Sequence, residues 1–311
     1  MDIQRTEATV LAIIVTYNGM QWIEKSIASL VASACCTNIL VVDNSSTDGT
    51  VEYIKNHFPQ VEVIESKENL GFGKANNIGL SRAISKRYDY SFLLNQDAWI
   101  ETNTISQLIE LHRTTPEYVL LAPLQLNGDG TLIDKLFNQY SVAPCREMIS
   151  DFMLHPSEVK AIYSTPFLNG ACWLLPLETV SNFGGFDPLY PHYGEDVDYI
   201  NRIVSHGKSI GLCPKVNVFH DRENRPETSN IQKQRVKCYI DLLIRAKSPN
   251  QALKSTLYYR LLYLKTALVS LLTNNRTHNR CMMWAIKEII NKRDVIKLHR
   301  ENETILKAHY L

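Results

Sequence analysis

The chain has 311 residues, 45% of them apolar and 21% charged, a balance that excludes a disordered protein and allows one large domain with an appendage, or two domains. Its formal charge of +1 hides an asymmetry: residues 226–311 hold 16 Lys and Arg against 6 Asp and Glu, whereas residues 1–225 hold 17 against 26. An acidic body suits carboxylate chemistry with a metal, and a basic tail suits an anionic surface or partner.

Taken in order, Val10–Tyr17 is apolar and β-branched and predicts a buried strand. Residues 20–33 follow with helical spacing, Trp22, Ile23, Ile27, Leu30 and Val31 sharing a face. Ile39–Val42 predicts a second strand, then a polar run from Asp43 to Gly49 in which Asp48 can cap a helix reaching about His57. Val61–Ile64 predicts a third strand, Asn69–Gly73 a glycine-rich loop, and the residues up to about Arg87 a helix. Tyr90–Leu94 predicts a fourth strand and 102–113 a helix. Four strand–helix alternations of this kind predict a mostly parallel central sheet flanked by helices, an α/β fold.

Beyond that point the pattern loosens. Residues 125–165 carry scattered Gly, Pro and polar residues and read as longer loops or small strands. Phe167–Leu175 predicts a strand, Asp196–Ser205 a helix, and Val216–Phe219 an apolar run closed by His220. Residues 231–311 read as helical throughout, with breaks near 248–250 and 273–275. The division falls near 222–230, giving a body of 1–225 and a basic helical C-terminal extension of 226–311. No run of 18 uncharged apolar residues occurs, so no transmembrane helix is predicted. The polar start MDIQRTEATV does not read as a signal peptide. Seven cysteines without a C-x-x-C pair read as thiols of a reducing cytoplasm.

Several residues bear chemistry, each with a plainer alternative. Asp43 ends a strand and can grip a nucleotide or simply start a turn. Gly71-Phe72-Gly73-Lys74-Ala75-Asn76 begins like a dinucleotide fingerprint but has Asn76 at the third glycine position and follows the wrong strand. Asn95-Gln96-Asp97 offers one carboxylate to a hard divalent cation such as Mg²⁺, or forms a turn. Glu195, Asp196 and Asp198 crowd a helix start, where acids favour the helix dipole or supply a general base. The aromatics Phe186, Tyr190, His192 and Tyr193 before them can form a binding wall. His220 is either a packed residue or a second metal ligand.

In chain order, Val15-Thr16-Tyr17-Asn18, Val42-Asp43-Asn44-Ser45-Ser46-Thr47-Asp48-Gly49-Thr50, Asn69-Leu70-Gly71-Phe72-Gly73, Leu94-Asn95-Gln96-Asp97, Asn169-Gly170-Ala171, Gly184-Gly185-Phe186-Asp187 and Gly194-Glu195-Asp196 resemble the family 2 inverting glycosyltransferases, nearest to bacterial rhamnosyltransferase-like members. The resemblance spans about 10–225 and implies a GT-A fold, binding a nucleotide-diphosphate sugar in one half and an acceptor in the other.

That resemblance assigns roles residue by residue. Thr16, Tyr17, Asn18, Asp43, Asn69, Gly71, Gly73, Asn76, Asn95 and Gln96 would line the nucleotide or donor site. Asp97 would hold Mg²⁺ or Mn²⁺ on the diphosphate, assisted by His220. Asn169, Gly170, Trp173 and Tyr193 would face the sugar or acceptor. Asp196 would be the catalytic base with Glu195 beside it. One departure stands out: Asn95 replaces the first acid of the family's D-x-D motif.

The implied function is transfer of rhamnose or a hexose, from dTDP-rhamnose or a UDP-sugar, to a glycan or lipid-linked saccharide in cell-surface polysaccharide synthesis. The implied location is cytoplasmic, with a peripheral membrane contact through the basic tail as one use of that tail. Tyr258–Leu272 places Leu261, Leu264, Leu268 and Leu272 on one helix face, which can pack on the body, on another subunit or on a membrane surface. No nucleic-acid-binding motif accompanies the basic charge. The rivals are a glycoside hydrolase using paired carboxylates, a nucleotidyltransferase and a non-catalytic nucleotide-sugar-binding protein.

Overall fold

The computed structural model describes residues 8–224, 231–272 and 276–311. Strand β1 (Val10–Thr16) lies between β2 (Thr37–Asp43) and β4 (Tyr90–Asn95), and β3 (Glu62–Glu65) flanks β2; all four run parallel. Alternate residues of β1 serve opposite faces of the sheet. Leu11 and Ile13 pack with Ala75, Leu80 and Ala83 of α3 (Gly71–Lys86). Val10, Ala12 and Ile14 pack with Ile23, Ile27 and Leu30 of α1 (Ile23–Val31) and Ile54 of α2 (Thr50–His57). Helix α4 (Thr104–Thr114) covers that second face through Ile105, Leu108 and Ile109.

The sheet continues past β4 in the order β8 (Cys172–Pro176), β6 (Tyr118–Asn127), β9 (Ser209–His220) and β5 (Ala98–Ile100), with β7 (Tyr163–Ser164) on β9. Here β8 runs against both β4 and β6, so the parallel character belongs to the N-terminal half and the second half is mixed. Between β6 and β8, the stretch 125–165 is more ordered than its composition predicts. It holds a short turn of helix, α5 (Lys135–Phe137), α6 (Arg146–Leu154) and β7. The strand expected over Phe167–Leu175 begins only at Cys172, and the run closed by His220 is the end of a 12-residue strand.

Helices α7 (Leu177–Phe183) and α8 (Glu195–Ser205) cover the α3 face of the sheet through Val180, Phe183, Tyr199, Ile200 and Ile203. The C-terminal extension holds α9 (Ile231–Lys247), α10 (Thr256–Leu272), α11 (Arg276–Asn291) and α12 (Arg293–Asn302). The break expected near 248–250 follows α9; that at 273–275 lies outside the described residues, as does 225–230 within the expected division. A separate apolar cluster (Leu243, Cys281, Ala285, Ile286, Ile289, Ile296) holds these helices together and reaches the body at Tyr190. Among the described residues no helix is long and apolar enough to cross a membrane.

Candidate active site

Parallel pairing brings the ends of the first strands to one edge: Thr16 sits opposite Asp43, and Val15 opposite Asn95. Ligands of open α/β sheets bind at this carboxyl edge. Gln96 joins β1 to β4 there, its Oε1 accepting from Thr16 Oγ1 at 2.7 Å and from the Tyr17 amide at 2.8 Å. Asp43 accepts from the Ser46 amide and hydroxyl at 2.9 and 2.5 Å. Asn18 adopts φ 47° and stitches the neighbouring loops, donating its amide to Ser46 Oγ and accepting from the Thr47 amide, both at 2.9 Å. Tyr17 remains 48% exposed.

Antiparallel pairing of β5 with β9 sets Ala98 opposite His220, and the Asp221 amide donates to the Asp97 carbonyl at 2.9 Å. His220 Nε2 then lies 3.4 Å from Asp97 Oδ1, both side chains buried. Two donors of one divalent ion stand roughly 3 Å apart when each bond is about 2.1 Å. A carboxylate oxygen and an imidazole nitrogen at this separation therefore fit a cation such as Mn²⁺. Asn95, half-buried, adds no charge to this set.

The chain enters α8 through Tyr193, exposed and at φ 70°. Asp196 follows in the first helical turn, half-buried, its Oδ1 accepting from the Val197 amide at 2.8 Å and its Oδ2 from the Gly170 amide at 3.4 Å. The next carbonyl, Ala171, accepts from the Asn95 amide at 2.9 Å. One backbone step thus connects Asp196 to the end of β4. Burial raises the pKa of Asp196, while the two amides and the Arg222 guanidinium favour its ionised form. Glu195 is pushed up to about 8, by burial first and by Asp196 second. Its buried Oε2 has no hydrogen-bond partner among the described residues. Neighbouring carboxyls with such different surroundings can divide the work, one holding a proton while the other accepts one.

The glycosyl transferase family 2 profile matches residues 11–174, about half of the chain. The chain belongs to that family. It is a glycosyltransferase with a GT-A fold. It is 26% identical over 255 residues to N-acetylglucosaminyl-diphospho-decaprenol L-rhamnosyltransferase of Mycobacterium tuberculosis, covering 73% of this chain and 82% of that one. Among solved structures it resembles the mannosyltransferase PcManGT of Pyrobaculum calidifontis, in complex with GDP-Man and Mn²⁺, with TM-score 0.58, 16% identity and coverage of 96% and 80%. It also resembles residues 1–349 of S. aureus TarS in complex with UDP, with TM-score 0.56, 14% identity and coverage of 95% and 87%.

Some expected site residues of the glycosyltransferase take structural positions instead. The Asn69–Gly73 loop is cut short because α3 starts at Gly71, with Asn69 Oδ1 accepting from the Gly71 amide at 2.9 Å. Gly71 and Gly73 permit close packing: added Cβ atoms would stand 2.4 Å from the Pro191 carbonyl and 2.9 Å from Phe186 Cβ. Asn76 is buried in α3, its amide donating to the Phe72 carbonyl at 3.0 Å. Trp173 is corrected from a sugar-binding to a core residue. It lies on β8 at 0% exposure, stacked 5.9 Å from Phe186 and tilted against Tyr199 at 5.7 Å. Asn169 is also buried and accepts from Ser141 Oγ at 2.9 Å, whereas Gly170 sits beside Asp196.

Arg222 and Asp221 were not singled out by the sequence, though both follow His220 directly. Arg222 Nε lies 3.3 Å from Asp134 Oδ2 as well as acting on Asp196. Asp221 accepts from Trp22 Nε1 at 2.8 Å, joining the start of α1 to the end of β9. Their signal was position, two polar residues continuing an apolar strand past its end.

A second carboxylate group, Asp187, Asp198 and Glu303, has donor spacing close enough for a cation. The Lys247 ammonium occupies that role in this glycosyltransferase. Nζ lies 2.7 Å from Asp187 Oδ2 and 3.6 Å from Asp198 Oδ1, and it also bonds Glu303. Arg202 adds a guanidinium 3.3 Å from Asp198.

Proposed function

We propose that this glycosyltransferase moves a sugar from a nucleotide-diphosphate donor to a hydroxyl of a lipid-linked saccharide, with inversion, in cell-surface polysaccharide synthesis. The observation carrying this reading is the placement of Asp196, one backbone step from the end of β4 and held by the Gly170 and Val197 amides. Asp196 takes the proton of the acceptor hydroxyl, and that oxygen attacks the anomeric carbon opposite the departing diphosphate. Glu195, pushed up to about 8, keeps its proton at neutral pH, while the Val197 and Gly170 amides and the Arg222 guanidinium favour the ionised form of Asp196. Thr16, Tyr17, Asn18, Asp43, Asn95 and Gln96 frame the nucleotide along the carboxyl edge. Tyr193 and Gly170 border the acceptor side.

Asp97 and His220 would hold a divalent cation, Mg²⁺ or Mn²⁺, which when bound offsets charge on the leaving diphosphate. The Mn²⁺ in the complex of PcManGT supports this choice. The donor proposed first is dTDP-rhamnose and second a UDP-hexose; the name of the mycobacterial relative supports rhamnose and a polyprenyl-diphosphate-linked acceptor. The seven free cysteines support the cytoplasm as the compartment. The body of 1–225 carries this chemistry, and 226–311 is proposed as its docked extension.

The test is incubation of the full chain with a panel of nucleotide-sugars, Mn²⁺ and an N-acetylglucosaminyl-diphospho-lipid, with the product's anomeric configuration read by NMR. Transfer from dTDP-rhamnose with inversion is expected. Release of free sugar without need of an acceptor would instead support a hydrolase.

A further inference from the structure

The extension presents an apolar ridge to solvent. On α10, Leu257, Leu261, Leu264, Leu268 and Leu271 are 58–78% exposed. Their spacing of four, three, four and three residues puts them on one stripe about 21 Å long at 1.5 Å per residue. Leucines left in water on one helix face cost free energy unless something covers them. Only Tyr259 of α10 is buried.

The charges around this ridge decide what that cover is. Helix α10 carries Arg260 and Lys265 and no acidic residue. Beside it, between α9, α10 and α11, lies a cavity of about 400 Å³. Arg245, Lys254 and Lys265 line it, together with Tyr258, Leu262 and Val269. Among the described residues none of those three cations is in an ion pair, unlike Lys247, which is buried among carboxylates. A second copy of this helix would bring like charges together along the stripe, with no acid to answer them. An anionic bilayer answers both features: acyl chains cover the leucines and lipid phosphates meet the cations.

We infer that the α10 stripe and the adjoining basic cavity form a docking surface for a membrane carrying anionic phospholipids, the stripe lying in the interface and the cavity receiving a lipid phosphate. This surface is distinct from the Asp196 site. Its failure in the test below would leave the donor and acceptor assignment untouched, because the assay contains neither.

The full chain is sedimented with vesicles of phosphatidylcholine alone and of phosphatidylcholine with 30% phosphatidylglycerol, at 0.05 and 0.5 M NaCl. Binding is expected only to the anionic vesicles and at least fivefold weaker at high salt. Leu264→Asp with Leu268→Asp should reduce it tenfold or more. Lys254→Glu with Lys265→Glu, which leaves the leucines in place, should remove the preference for anionic vesicles. Thermal melts matching wild type establish that both variants fold. Absence of binding, or equal binding to the two vesicles, overturns the proposal. So does a dimer in sedimentation velocity that the leucine variant converts to monomer, since the stripe would then be covered by a second copy.

Discussion

Lys247 Nζ lies 2.7 Å from Asp187 Oδ2, joining the last residue of α9 to the segment that leads into α8. The pair is buried, and His299 of α12 reaches the same carboxylate at 3.0 Å. Burial alone would disfavour the Asp187 anion, yet His299 and Lys247 hold its pKa down to about 2. Asp198, on the same helix as Asp196, and Arg202 complete the network. The extension is therefore fastened to the helix that begins with the proposed base.

Removal of that ammonium leaves Asp187, Asp198 and Glu303 without their shared cation. Breaking one partner of a buried ion pair costs about 3–5 kcal/mol. Lys247→Met is expected to lose stability of that order in urea denaturation. A loss below about 1 kcal/mol would mean that water or rearrangement replaces the ammonium.

The N-terminal half of the fold was legible because its strands are uniformly apolar and its helices amphipathic: Val10–Thr16 and Ile23–Val31 form the strand and helix their patterns require and share one apolar cluster. The mixed half was not, because β6 contains Pro123 and β9 contains Pro214, and the partner of each strand is set by long-range pairing. Carboxylates after strands or at a helix start were found, since polar residues ending an apolar run are visible in a sequence. What stayed hidden was direction. Trp173 and Cys172 are adjacent, yet nothing local tells which face of β8 meets open space, and here both side chains are buried. The network around Lys247 was equally hidden, because its members lie up to 116 residues apart in sequence, from Asp187 to Glu303.

Asp97 and His220 should act as a unit toward the metal. Asp97→Ala and His220→Ala are each expected to weaken Mn²⁺ dependence of transfer and donor binding, with Asp97→Ala the more severe because it removes the charge. Mn²⁺ titration of activity and calorimetric donor binding measure this. An unchanged Mn²⁺ response in Asp97→Ala would remove that residue from the role.

Glu195 gives a pH-dependent signature in stability. Its carboxyl is held up to about 8 in the folded chain, against an ordinary 4.5. Between those values the folded state keeps a proton that the unfolded state has released. Its favourable contribution is present below pH 4.5 and is lost as pH rises toward 8. Glu195→Gln cannot ionise, so its advantage over wild type should grow across that window, by on the order of a few kcal/mol. Urea midpoints at pH 5 and pH 8.5 test this, and an identical difference at both values would contradict it.

Asp196→Asn separates the proposed base from the scaffold. An asparagine oxygen can keep the 2.8 Å bond from the Val197 amide, and only the longer 3.4 Å contact with Gly170 is exchanged for a facing amide. The helix start should therefore persist, and so should the proposed nucleotide edge of Thr16, Asp43 and Gln96, whose hydrogen bonds among the described residues do not involve Asp196. What the substitution removes is a group able to accept the acceptor's proton, worth about 10²- to 10⁴-fold in rate. The expected result is a kcat lowered by that factor with donor affinity within about twofold of wild type. A fall in donor affinity that accounts for the whole loss would make Asp196 a donor-binding residue, and the base would have to be sought in Glu195 instead.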